Sequence, residues 1–225
     1  MTARDRILSR IRQRQKKPGT ASATELDAVR SHMTAHLRSP APREDWDVQV
    51  RFRERALSLA SSIDEAAAFS DVPGLVARYL SARDLPARAV CWRELGELDW
   101  SGGGLEVEAR GAHADDLVGI TSAFCAIAET GTLVTVSGPD TPPTVSLLPE
   151  THIAVLREDS IVPSMEDAWA LLRSARAVMP RAVNFISGPS RTADIEQTVT
   201  LGAHGPYRVH IIVVGTAPVR RTDSL

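Results

Sequence analysis

Three polar, glycine-bearing segments abut apolar runs, and they hold the residues whose types could do chemistry. The first is Ala128-Glu129-Thr130-Gly131-Thr132, and it allows two readings. Gly131 can supply the backbone angles of a turn whose threonine hydroxyls tie down neighbouring amides. Alternatively, Glu129 stands at a strand edge inside a cleft as a general base, a nucleophile or a polar anchor. The second segment runs from Ile186 to Glu196 (ISGPSRTADIE). It leaves a strand, turns through Gly188-Pro189 and enters a short helix near 193–198, which Thr192 or Asp194 can cap. Amides at such a helix start, joined by Ser187, Ser190, Arg191 and Thr192, form a cradle for a phosphate or carboxylate. Ligands in α/β sheets lie beyond the carboxyl ends of strands, and the sequence places this loop there. The plainer alternative pairs Arg191 with Asp194 or Glu196 to pin the turn. The third segment is Gly202-Ala203-His204-Gly205-Pro206. Its small residues leave the His204 ring free to bind an acidic group or move protons near neutral pH. The ring can equally bond a backbone carbonyl.

The remaining histidines carry less. His152 heads an apolar strand and reads as structural, whereas His32, His36 and His113 read as surface residues. Neither a Walker A pattern nor G-x-G-x-x-G occurs, and no His, Asp or Glu set has metal-ligand spacing.

The elements that position these loops divide in character near residue 87. Before it, the chain reads as helices: a short amphipathic one on Ile7, Leu8 and Ile11, then 24–38 and 46–60. A capping box at Ser62 and Glu65 opens a further short helix, and Pro73 sits in the first turn of another that runs to about 83. After residue 87, apolar runs at 88–92, 105–109, 119–124, 132–137, 152–156, 182–186 and 208–214 read as strands. Ser164 to Asp167 starts a helix with a stripe of Ala168, Leu171, Leu172 and Ala175. Strands apolar on both faces, mixed with helices, indicate a layered α/β sheet.

Composition bounds the function. The 225 residues are 43% hydrophobic and 24% charged, with a net charge of −2, which carries no global footprint for nucleic acid or an anionic membrane. No run reaches the roughly 18 apolar residues that cross a bilayer. The Arg-rich start has no apolar signal region, although its shortage of acids keeps a mitochondrial presequence in view. Two cysteines, Cys91 and Cys125, are too few for a four-thiolate cluster and agree with a reducing cytosol.

Taken in order, AETGTLV at 128–134, SLLPETHIAVL at 146–156, ISGPSRTADIE at 186–196 and GAHGP at 202–206 resemble the LUD domain of the lactate utilization protein C family. The resemblance spans about residues 87–215 and is looser upstream. It implies a three-layer α/β/α fold of the NagB/RpiA/CoA-transferase-like kind, with a core over 87–218 and a helical region over 1–86 that packs on or precedes it. It further implies a bacterial, cytoplasmic subunit of a system oxidising L-lactate to pyruvate with iron–sulfur companion proteins. A related domain in one companion is fused to cysteine-rich cluster-binding segments, which this chain lacks. Iron–sulfur clusters are therefore expected in the companions, and no cofactor in this chain. The motif positions give a candidate site: Glu129 and His204 as catalytic groups, with Thr130, Gly131, Thr132, Ser187, Gly188, Ser190, Arg191, Thr192, Asp194 and Gly205 as ligand- or anion-binding residues. A small anionic ligand fits that set; nucleic acid, membrane insertion and a metal site are not expected. Two alternatives stay open, a stand-alone enzyme (by fold analogy, acyl or CoA transfer with Glu129 as nucleophile, or a sugar-phosphate or folate reaction) and a structural adaptor.

Overall fold

Residues 2–16, 21–38, 45–192 and 200–215 are described by a computed structural model. The chain forms two compact units that divide after residue 42. In the first, helices α1 (Ala3–Arg14) and α2 (Ala23–Ala35) each open on a reciprocal cap, Thr2 with Asp5 and Ser22 with Glu25. The short helix expected at the start is thus a full three turns.

The second unit begins with α3 (Val48–Ser58), capped by the Asp47 carboxylate. It continues through β1 (Ser62–Ala66), α4 (Val72–Ser81), β2 (Arg88–Cys91), β3 (Glu106–Ala109) and β4 (Val118–Ser122). Next come β5 (Cys125–Ile127), β6 (Thr132–Val136), α5 (Thr144–Leu147), β7 (Thr151–Arg157) and β8 (Ile161–Val162). Helix α6 (Met165–Ala175), β9 (Val183–Ile186), β10 (Arg191–Thr192), β11 (Thr200–Leu201) and β12 (Arg208–Val214) complete it. Residues 45–86, which the sequence groups with the helical region, here contribute a sheet strand and two core helices.

Six parallel strands in the order β1-β12-β7-β4-β2-β3 form the central sheet. Its strands alternate between two buried faces, which accounts for their nearly continuous apolar runs. On one face Val118, Ile120, Ile153, Val155 and Ile212 pack against Val76, Tyr79 and Leu80 of α4. On the other, Ala154, Leu156, Val209, Ile211 and Val213 meet Phe52 and Ala56 of α3. Helices on both faces give the expected three-layer α/β/α arrangement. The α3 side also carries a four-stranded mixed sheet, β8-β5-β6-β9, covered by Ala168 and Leu171 of α6.

Two local expectations are corrected. Ser62 and Glu65 do not cap a helix; they lie in β1, where the Ser62 hydroxyl bonds His210 Nδ1 at 2.9 Å across the pair with β12. Tertiary pairing overrides the local capping signal. The apolar run 119–124 is also not one strand, because β4 ends at Ser122 and the chain re-enters the second sheet as β5.

Two histidines are sealed in the core. The His152 Nε2 atom lies 2.8 Å from the Thr121 hydroxyl, and the His210 ring stacks on Tyr79 with centroids 3.9 Å apart. Burial pushes both rings down to about 4; for His210, nearby Asp64 opposes the shift and Arg83 adds to it. The His210–Asp64 approach, at 3.6 Å, is therefore not an ion pair at neutral pH. An unfolded imidazole titrates near 6.5, so the unfolded chain binds more protons between pH 6.5 and 4. Stability from these rings is complete above about pH 6.5 and is lost as pH falls towards 4. Urea unfolding across that window should show a decline on the order of a few kcal/mol, and His210→Leu should remove about half of its slope.

Candidate functional site

The site is assembled around the carboxyl end of α3. That helix stops at Ala60, whose φ is +66°, with Ala60 N–H donating to Leu57 O at 3.0 Å and Ser61 N–H to Ala56 O at 3.1 Å. These are the two bonds of a Schellman closure, made with alanine where glycine is usual, at a cost of about 1 kcal/mol. The turn presents the Leu59 carbonyl to the 187–191 loop, and Arg191 Nη2 donates to it at 2.8 Å. Gly188, at φ +79°, lies so close that a Cβ there would sit 2.3 Å from Leu59 O. Gly131, at φ +68°, is equally confined, since its Cβ would fall 2.5 Å from Ala56 N.

Hydroxyls join the first two loops. Thr130 Oγ1 lies 2.7 Å from Thr132 Oγ1, which lies 2.7 Å from Ser187 Oγ. Backbone bonds join the second loop to the third: Ser190 N–H donates to Pro206 O and Gly202 N–H donates to Ser190 O, each at 2.9 Å. Arg191 and Thr192 then pair with Leu201 and Thr200 as an antiparallel ladder, β10 with β11. The three segments therefore form one continuous patch. Glu129 is half-buried and donates its N–H to Pro163 O at 3.0 Å. Asp194 and the helix expected over 193–198 lie outside the described residues.

Beside this patch is a cleft of about 640 Å³, lined among others by Glu150, Gly202, His204, Gly205, Tyr207 and Arg208. Arg208 is its most informative group. Its Nη1 is buried and has no hydrogen-bond partner among the described residues, while its Cζ stands 4.9 Å from the Tyr207 ring centroid. His204 and Gly205 share this cleft; Glu129 and Arg191 are not among its lining residues. Glu150, Tyr207 and Arg208 were not singled out in the sequence, where Arg208 reads as the first residue of an apolar strand. Its position two residues after the Gly205-Pro206 turn was the available signal.

The location of the patch corrects one expectation. The 187–191 loop does follow the carboxyl end of β9, but β9 belongs to the mixed sheet. The bonds to Leu59 and Pro206 tie the loop to the segments that enter β1 and β12. The cleft thus opens at the amino edge of the parallel sheet, not its carboxyl edge. Among the described residues, no three His, Cys, Asp or Glu side chains gather as metal ligands.

A parallel sheet with helices on both faces defines the class, an α/β protein, and a polar cleft lined by Glu150, His204 and Arg208 opens at the amino edge of that sheet. The LUD domain profile matches residues 98–214, and the chain belongs to the LUD domain family. Among its relatives, lactate utilization protein C of Bacillus licheniformis is 41% identical over 100 residues, 43% of this chain and 42% of that protein. The protein of the same name from Bacillus subtilis is 43% identical over 100 residues, with the same coverage. The matched stretch spans less than half the length of these curated relatives. A crystal structure of a DUF162 family protein from Deinococcus radiodurans superposes with a TM-score of 0.55 and 26% identity, covering 75% of this chain and 96% of that one.

The close approaches at Leu59 and the hydroxyl chain should both be measurable in stability. Gly188→Ala should cost at least about 2 kcal/mol in urea unfolding, because the Cβ meets backbone and the φ is positive. Thr132→Val should cost about 1–2 kcal/mol, by stranding the Ser187 hydroxyl.

Proposed function

We propose that this chain is the C-type component of a bacterial lactate utilization system that oxidises L-lactate to pyruvate, acting in the cytoplasm with iron–sulfur companion proteins. Its relatives named lactate utilization protein C support the pathway. The observation that supports the role is a cleft that brings Arg208, whose buried Nη1 has no partner among the described residues, together with His204. A cleft of that size suits a small organic anion, held by Arg208 with His204 beside it.

In this proposal the electron-carrying clusters belong to the companions. Cys91 and Cys125 are both buried, and burial pushes their thiols up to about 11 and about 12, so neither offers a thiolate at neutral pH. Glu129 and Arg191 act on this view by shaping the patch against which the cleft is built, with Arg191 engaged on Leu59.

Deleting the encoding gene should abolish growth on L-lactate as sole carbon source, and a plasmid copy should restore it. Growth at the parental rate, in a strain with no other lactate dehydrogenase, contradicts the pathway. A copy carrying Arg208→Leu should fail to restore growth while accumulating to normal levels; full restoration would leave the pathway standing and remove the site.

A further inference from the structure

The opposite edge of the parallel sheet carries a second cavity that none of the motif loops touches. From β2 the chain runs outward to β3, whereas from β4 it runs the other way, into the mixed sheet and back to β7. In open α/β sheets a crevice forms outside the carboxyl ends of strands at such a switch point, and ligands bind there. Strands β2 and β4 pair over only Val90–Gly119 and Cys91–Ile120 before their chains diverge. A cavity of about 450 Å³ lies at this place, reached by Trp92 just after β2, Ser122 ending β4 and Arg157 ending β7.

Its walls are apolar, formed by Phe69, Trp92, Leu95, Leu98, Phe124 and Val155. Its polar groups are few and convergent, which is the composition of a small-molecule site. The Ser122 hydroxyl donates to Glu94, and Arg157 is paired with Asp159 through contacts of 3.1 and 2.8 Å. Arg176, at the end of α6, also lines the cavity; it is exposed and makes no ion pair with a described residue. An apolar interior with a free guanidinium at its rim fits one kind of occupant.

We infer that this pocket binds an organic acid with an aromatic or branched apolar tail. The tail lies against Trp92, Leu95 and Leu98, the carboxylate meets Arg176, and the Glu94–Ser122 pair accepts from a hydroxyl. This site is separate from the Arg208 cleft and stands or falls without it.

The test titrates the full chain with 3-phenylpropionate and with 3-phenylpropanol, its neutral counterpart, following the indole N–H resonance of Trp92. Both compounds should shift it, the acid binding at least about fivefold more tightly. Arg176→Gln should erase the acid's advantage, Leu98→Trp should abolish both shifts in a folded protein, and Arg208→Leu should change neither. No shift by either compound up to about 10 mM, a range that detects even weak millimolar binding, overturns the proposal. Survival of the acid's advantage in an Arg157→Gln/Arg176→Gln double variant also overturns it.

Discussion

At the carboxyl end of α3, two loop backbones press so close to the helix that neither can carry a side chain. Gly188 meets the Leu59 carbonyl and Gly131 meets the Ala56 amide, both from left-handed conformations. The contact is possible only because Ala60 accepts the same strained region to stop the helix there. Once these backbones touch, Thr132 and Ser187 come within hydrogen-bond reach, Arg191 caps Leu59, and the 187–191 loop is aimed at Pro206. The His204 cleft inherits its shape from that sequence of contacts. Glycine at 131 and 188 is therefore a packing requirement first; any role towards a ligand is exerted through the positions these residues fix.

The polarity of the parallel sheet gives the molecule two chemically different edges. At the amino edge, backbone bonds tie together the segments entering β7 and β12, the Arg191 side chain ties in the segment entering β1, and a polar cleft is left around Arg208. At the carboxyl edge, chains leaving β2, β4 and β7 diverge and leave an apolar pocket with charged groups at its rim. Between them the sheet is sealed on both faces, so His152 and His210 are held neutral in the core and take no part in either edge.

Much of this was legible in the sequence, for identifiable reasons. Helices α3, α4 and α6 carry clear apolar stripes, and the long strands β7 and β12 are apolar on both faces. Strand β1 was not legible because Ser-Ile-Asp-Glu-Ala has no period-two pattern; its pairing with β12 and the Ser62–His210 bond hold it as a strand. Strands β5 and β8 are three and two residues long, too short to leave a periodic signal. The three motif loops were visible through their glycines, prolines and hydroxyls. That they form one patch follows from long-range pairing, which spacing along the chain does not encode. Arg208 was not legible because what distinguishes it is its place in the cleft beside His204, a property only the packed structure has.

On the proposed function, the loops joined by Ser190 bound a single anion-binding cleft around Arg208. The most direct measurement is a backbone amide titration of the full chain with L-lactate and with inorganic phosphate. The amides of Ser190, Gly202, Gly205 and Arg208 should shift together for at least one of these anions, fitting one shared Kd, while the Trp92 indole stays still. Shifts that need separate Kd values, or that occur without Gly205 and Arg208, would contradict it.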